Sequence, residues 1–411
     1  MILLSAHRSR TVALTDQVFS GGSNFVASIM IARSLDATTF GTFSLTYAAL
    51  TLVLALTRAL IGTRLILAIA HDPLKSDRAT SAAFTAVGLT APLAVMVVMS
   101  SYLVLVVPGE GIRQKGLLVA LVVAVGAPLV CLQDVLRFAA VAQGKPQAAL
   151  SADVIWFLLM LLAIPSVAMH GMVWALAIWV GGCLLALGVL SLWLRPQINV
   201  PAALGVLRLR FGVSESTAAG VIAGSAASFI VISVSVQVLG PAAAGSLRGA
   251  GTLMGPMNVA LAFVDLSLVG YLSRREGKAD RQFCVRLALG LVAVIGAWGF
   301  VLLSMPSSWG VRLLGESWLG ARSVLPWRVL EYVALGPLAA ALLGLKVRGA
   351  TTKLILVQTS FAILTAFLGC LGALTLRGTP GVAMFLAGAA TGAAILAWGL
   401  FLFSQPRRAL R

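Results

Sequence analysis

Long apolar runs recur along the chain, and this pattern constrains the fold more than any other feature. A helix needs about 20 apolar residues to cross roughly 30 Å of hydrocarbon, and each run approaches or exceeds that length. Apolar residues make up 60% of the chain and charged residues only 10%, too few to cover a globule in water. The runs predict an all-α membrane protein with about twelve transmembrane helices, at 13–33, 41–66, 79–106, 116–142, 148–168, 172–194, 213–238, 244–271, 283–304, 323–345, 351–373 and 380–404.

The basic residues divide unequally between the two sides of such a bundle. Of the 30 lysines and arginines, 21 fall in the terminal segments and alternate loops that share one side, and 6 fall on the other. Because basic loops resist translocation, this asymmetry predicts that both termini are cytoplasmic. The net charge of +17 is scattered singly through short loops, so it indicates membrane topology and no nucleic-acid partner.

A weak internal repeat relates the two halves of the chain. Residues 23–43 align without gaps over 227–247, and Gly41 then coincides with Gly245. Gly144 and Gly349, each just after an even-numbered run, are separated by nearly the same interval. Six spans followed by six in the same orientation predict two parallel lobes, with a transport pathway between them.

The repeat also predicts the domain boundaries. We expect an N-terminal six-helix lobe at 1–194, a cytoplasmic linker at 195–212 and a C-terminal six-helix lobe at 213–411. Prolines in the linker oppose a continuous helix. Its apolar residues have helical spacing, so a short helix on the membrane surface and a plain loop both remain open.

Several stretches resemble bacterial polysaccharide flippases of the Wzx type, which belong to the multidrug/oligosaccharidyl-lipid/polysaccharide (MOP) exporter superfamily. They are "DQVFSGGSNFVASIMIARSLDATTFGTFSL" (16–45), "LQDVLRFAAVAQGKPQAALSADVIW" (132–156), "GSLRGAGTLMGPMNV" (245–259) and "LLGESWLGA" (313–321). The resemblance implies a V of two six-helix lobes around a central cavity, lined largely by the first two helices of each lobe. It also implies a bacterial inner membrane, and transfer of a lipid-linked oligosaccharide, a polyprenyl-diphosphate glycan, between leaflets by alternating access.

Two arginines inside predicted spans are the candidate substrate-binding residues, Arg58 in the second span and Arg248 in the eighth. A charge in the bilayer needs a partner, water or a ligand. Both spans line the cavity by resemblance, and a guanidinium suits a diphosphate headgroup. An inter-lobe salt bridge, or snorkelling of the side chain to the interface, is the structural alternative.

Two aspartates inside predicted spans are candidates for gating or ion coupling. Asp16 lies in the first span and Asp265 late in the eighth, both toward the cytoplasmic side. Either could close an inner gate against an arginine, and Asp16 could bind a coupling proton or sodium ion. Ordinary solvation at a helix end is the alternative for both.

Two sets of charges within spans are predicted to be structural ion pairs. Arg137 and Asp153 lie at equal depth on either side of the turn between spans four and five, and Asp134 lies one helical turn before Arg137, where it can brace the same guanidinium. Arg328 and Glu331 are three residues apart in span ten and should neutralise each other.

Two further functions are weighed against the flippase. An ion-coupled multidrug exporter of the same superfamily should have acidic residues dominating its cavity. A membrane enzyme that modifies polysaccharides should carry a long external loop with histidine, aspartate or arginine clusters, whereas the three histidines here are scattered and no metal-ligand spacing occurs. The sequence therefore predicts a transporter without catalytic residues, metal or cofactor, whose other partners are membrane lipids.

Overall fold

The computed structural model describes residues 2–208, 213–264, 268, 272 and 281–404, and within these residues it is helical without strands. Twelve membrane elements follow in chain order: α1 Ile2–Ser34, α2 Ala37–His71, α3 Pro73–Glu110, α4 Gln114–Ala142, α5 Pro146–His170, α6 Met172–Leu194, α7 Val213–Leu239, α8 Pro241–Leu253 with Gly255–Phe263, α9 Arg281–Leu303, α10 Ser307–Val347, α11 Thr351–Leu376 and α12 Thr379–Leu402.

Ten of these elements contain, within the described residues, a helix long and apolar enough to cross a membrane. The remaining two predicted spans coincide with α1 and α8, and the predicted span of α8 continues beyond the described residues. We call the end of the bundle that carries most of the basic loops the inner end, which the positive-inside rule predicts to be cytoplasmic. The opposite end is the outer end.

The helices form two lobes around a central cavity, and the packing of one lobe repeats in the other. In the first lobe α1 packs on α5, α2 on α4, and α4 on α3 and α6. In the second lobe α7 packs on α11, α8 on α10, and α10 on α9 and α12. Adding six to each helix number converts the first set into the second, as expected for a duplicated fold.

The turns after α4 and α10 are the same structure built twice. Gly144 and Gly349 adopt φ of 72° and 66°, a region open to glycine because it lacks a Cβ. The N–H of Lys145 donates to the carbonyl of Ala140 at 2.8 Å, and the N–H of Ala350 donates to that of Leu345 at 3.0 Å. Both are the six-to-one bond of a Schellman motif, so the glycines matched by the internal repeat occupy matching positions.

The outer ends of the two lobes meet where α2 crosses α8. A side chain at Gly41 would overlap the backbone carbonyl of Pro241, and one at Gly245 would press on the carbonyl of Ala37. Only glycine permits backbones to approach this closely. The two glycines paired by the repeat therefore meet at the crossing that closes the outer end.

The linker between the lobes contains a helix, Val200–Leu207, so it is not a plain loop. The Asn199 side chain caps it by accepting from the N–H of Ala202 at 3.1 Å. The helix packs on the first half of α3, within the N-terminal lobe. The predicted lobe boundaries themselves stay a prediction.

Candidate functional site

A central cavity of about 810 Å³ lies between the lobes, within the range of small-molecule sites. Its walls come from α1, α2, α7 and α8, the first two helices of each lobe, together with α4 and α10. The lining residues extend along α4 and α8 as far as Val141 and Ala262 near the inner end, but on the outer side they stop at Ser44 and Leu247. Beyond these two residues lies the Gly41 crossing, so the cavity reaches toward the inner end and is closed at the outer end.

Arg58 reaches the cavity from an irregular turn of α2. Residues Arg58–Gly62 form a π-helical segment inside the α-helix, a distortion often found at functional sites. The guanidinium binds Asp134 of α4 through two hydrogen bonds, Nε to Oδ2 at 2.8 Å and Nη2 to Oδ1 at 2.7 Å. The Arg58 side chain is 42% exposed and that of Asp134 6%. Arg58 is therefore not the unpaired cation that the phosphate-binding prediction requires, because a buried carboxylate neutralises it.

Arg248 crosses the cavity from α8 to the opposite lobe. Its guanidinium carbon lies 3.9 Å from the ring centroid of Tyr47 and 5.1 Å from that of Phe43, both on α2. Nη2 donates to Ser28 Oγ of α1 at 3.2 Å, and Nε has no hydrogen-bond partner within the described structure. No described carboxylate forms an ion pair with Arg248. Aromatic faces stabilise the cation without neutralising its charge, so the charge stays available to a ligand.

The turn between α4 and α5 is held by the predicted pair of Arg137 and Asp153. Arg137 Nη2 lies 2.8 Å from Asp153 Oδ2, and both side chains are largely buried. Gln133 Nε2 donates to the other oxygen of Asp153 at 3.4 Å. Asp134 binds Arg58 through both carboxylate oxygens, and the predicted brace from Asp134 to Arg137 stays a prediction. No spacing within α4 indicates the bond from Asp134 to α2.

The remaining predicted site residues are the ion pair on α10 and two aspartates. Arg328 and Glu331 bind each other on α10, and Arg328 lines the cavity. Asp16 belongs to α1, but its side chain lies outside the described part of the structure, and Asp265 lies outside the described residues. The gating and coupling roles of these two aspartates stay predictions.

The aromatic support for Arg248 is the part of the site that sequence reasoning missed. Phe43 and Tyr47 are four residues apart and therefore share a face of α2, with ring centroids 5.5 Å apart. The spacing alone is compatible with a core stripe as much as with a cation platform. Only the crossing of α2 and α8 brings the arginine of one lobe over the aromatic face of the other.

The charges around the cavity leave a positive excess. Four arginines line it, at positions 58, 137, 248 and 328, and Asp134 is the one acidic residue that lines it among the described residues. Asp153 and Glu331 lie behind the wall and pair with Arg137 and Arg328. Among the described residues, three arginines thus have carboxylate partners, and the uncompensated charge belongs to Arg248.

The sequence and the fold of this chain were compared with those of known proteins. No protein-family model matches the sequence, and no curated protein matches it. The structure superposes on an inward-facing conformation of a multidrug resistance MATE family transporter of the MOP superfamily with a TM-score of 0.61, at 13% identity over 94% of each chain. The fold is that of the MATE transporters.

Two further solved structures are also similar to this chain. An outward-facing conformation of a multidrug resistance MATE family transporter gives a TM-score of 0.53 at 14% identity, over 97% of this chain and 94% of that one. A MOP superfamily transporter from Pyrococcus furiosus, described as having a binding pocket of reverse polarity that suggests a different function, gives 0.52 at 13% identity, with the same coverage. At these identities the likeness establishes the MATE fold alone.

Proposed function

We propose that this protein is an alternating-access transporter whose central cavity binds an anionic substrate. The MATE fold and the shape of the cavity support the transport cycle, because the lobes meet at the outer end through the Gly41 crossing and the cavity between them extends toward the inner end. A pathway open to one side at a time is the physical requirement for alternating access. On this proposal, the structure corresponds to a state that accepts substrate from the cytoplasm.

The observation that carries the substrate proposal is Arg248, the cavity arginine without a carboxylate partner in the described structure. An arginine at the closed apex of a cavity can bind phosphate oxygens through its planar donors, strongly where water is scarce. We propose that the ligand is the diphosphate of a lipid-linked oligosaccharide. The glycan would occupy the cavity, and the lipid tail would stay in the bilayer. Multi-pass insertion in a bacterial inner membrane, with both termini cytoplasmic, belongs to the same proposal.

An ion-coupled multidrug exporter is the second candidate, and the MATE fold suits it equally. Such a protein that takes cationic drugs needs a free carboxylate in its cavity. The one described acid in the lining, Asp134, is neutralised by Arg58. The charge balance therefore favours the anionic substrate. The coupling site in the alternative would be Asp16 of α1.

The test compares Arg248→Ala and Arg248→Lys with Arg312→Ala, which removes an exposed arginine outside the cavity. Arg248→Ala should reach the membrane in normal amounts, since it strands no described carboxylate, yet lower glycan export by about tenfold or more in a strain lacking the protein. Lysine should rescue partly, because a point charge keeps the attraction but loses the planar fork. Normal export by Arg248→Ala would refute the cationic-cavity mechanism and favour the multidrug exporter.

A further inference from the structure

A second cavity, of about 890 Å³, lies at the inner end of the N-terminal lobe, away from the central one. Three cationic side chains line it: Arg78 near the start of α3, Lys145 in the turn between α4 and α5, and Arg195 just after α6. These residues are far apart in sequence. The packing of α3, α4 and α6 alone brings them to one pocket, which we call the basal pocket.

The basal pocket carries a net positive charge. Asp77 is the one acidic residue among its described lining, and within the described part of the chain none of the three cations forms an ion pair. This contrasts with the central cavity, where carboxylates neutralise three of the four arginines. Two positive charges in excess make the pocket suitable for a phosphate group.

The wall that carries Arg195 is held rigidly. The N–H of Gln197 donates to Ser81 Oγ at 3.0 Å, and the N–H of Asn199 donates to Thr85 Oγ1 at 3.0 Å. Both hydroxyls belong to α3, so the segment after α6 is pinned against the helix that carries Arg78. The pocket is therefore formed by the fold itself and does not depend on a ligand to assemble it.

The rim of the basal pocket is apolar and exposed. The exposed fractions are 77% for Leu192, 54% for Trp193 and 82% for Ile198. The linker helix also exposes Leu204. Exposed tryptophan and aliphatic side chains beside cations are typical of the membrane interface, where rings lie at headgroup level and aliphatic groups contact acyl chains. A pocket for a soluble phosphate compound has no need of such a rim.

We propose that the basal pocket binds the phosphate headgroup of an anionic phospholipid in the leaflet that faces the basic loops. Arg78, Lys145 and Arg195 bind the phosphate, and the rim around Trp193 contacts the glycerol and the upper acyl chains. Basic pockets between transmembrane helices on the cytoplasmic side are suited to anionic headgroups. The site is separate from the central cavity, so this proposal is independent of the transported substrate.

Fluorescence of Trp193 tests the proposal in vesicles of phosphatidylcholine that contain the full-length protein. The Trp193 signal is the difference between the wild-type protein and Trp193→Phe. Brominated phosphatidylglycerol should quench this signal at a mole fraction about thirtyfold lower than brominated phosphatidylcholine, since the pocket has two positive charges in excess and each contributes about fivefold. Lys145→Gln/Arg195→Gln should remove most of this preference, and either single substitution should reduce it by about fivefold.

The matched control removes two cations from the same end of the bundle outside the pocket, Arg281→Gln/Arg286→Gln on α9, and it should retain the preference. Equal quenching by the two lipids in the wild-type protein would overturn the proposal. An equal loss in the control would also overturn it, because general surface charge would then explain the binding. Displacement of phosphatidylglycerol by inorganic phosphate at constant ionic strength would assign the pocket to a soluble phosphate compound instead.

Discussion

The two ends of the central cavity are built on different principles. At the outer end the lobes touch through backbone, where Gly41 and Gly245 remove the side chains that would separate α2 from α8. At the inner end the walls carry charged pairs, Arg58 with Asp134 and Arg137 with Asp153, and both pairs lie within one lobe. Steric fit therefore joins the lobes at one end, while electrostatics stabilises a single lobe at the other.

This difference gives Arg248 its position in the mechanism. It lies just inside the glycine crossing, and it contacts the opposite lobe through aromatic rings and a hydroxyl. Those contacts are weaker than a buried ion pair and can be exchanged for a ligand at modest cost. The paired arginines cannot exchange partners as easily, because a stranded carboxylate would remain.

The pair of Arg137 and Asp153 should be the most costly to break. Asp153→Ala leaves a largely buried guanidinium without its carboxylate, which should lower the free energy of unfolding by about 3–5 kcal/mol. The measurements are the amount of folded protein extracted from membranes and its melting temperature in detergent. Asp77→Ala, at an exposed carboxylate of α3, is the control and should change little. An unaltered melting temperature for Asp153→Ala would show that the inner end does not depend on this pair.

A single added methyl group should destabilise the crossing of α2 and α8 at the outer end. Gly41→Ala places a Cβ against the Pro241 carbonyl, so the contact between α2 and α8 should be destabilised by about 1–3 kcal/mol. The population should then shift toward a state that is open at the outer end, measured as the distance between spin labels on the outer ends of α2 and α8. Gly290→Ala, where the added Cβ meets open space, should leave that distance distribution unchanged. Identical distributions for both variants would contradict steric closure.

Arg58 and Asp134 should show a smaller coupling, because Arg58 is partly exposed. A double-mutant cycle with Arg58→Ala, Asp134→Ala and both together should give a coupling energy of about 1 kcal/mol. The exposed pair of Arg113 and Glu110 provides the control cycle, with an expected coupling near zero. A coupling near zero for Arg58 as well would return it to the set of cations available to the substrate.

The sequence by itself was sufficient for the architecture. Helix number and approximate bounds follow from apolar run length, since a bilayer requires each crossing to satisfy its own backbone hydrogen bonds. The internal repeat, although weak, predicted two parallel lobes, and its glycine pairs occupy corresponding positions in the structure. Glycines survive as markers of a repeat where backbone conformation or close approach excludes other residues.

The sequence predicted the partners of charged residues where the two residues are close along the chain. Arg328 with Glu331 lies within one helix, and Arg137 with Asp153 spans one short turn, so spacing along the chain was enough to predict each partner. Arg58 with Asp134 joins α2 to α4, and the sequence did not predict this pair. The position of a residue along a helix predicts its depth in the membrane and the helix face on which it lies. It does not predict which other helix packs against that face.

Only the tertiary structure decided which cavity arginine has a carboxylate partner and which does not. Arg58 and Arg248 are alike in sequence, each a single guanidinium within an apolar run. Their difference arises from what lies across the contact, a carboxylate for the first and aromatic rings for the second. The same applies to the basal pocket, where three cations distant in sequence share one cavity. The physical reason is that helix packing is set by side-chain fit over whole faces, which no local pattern encodes.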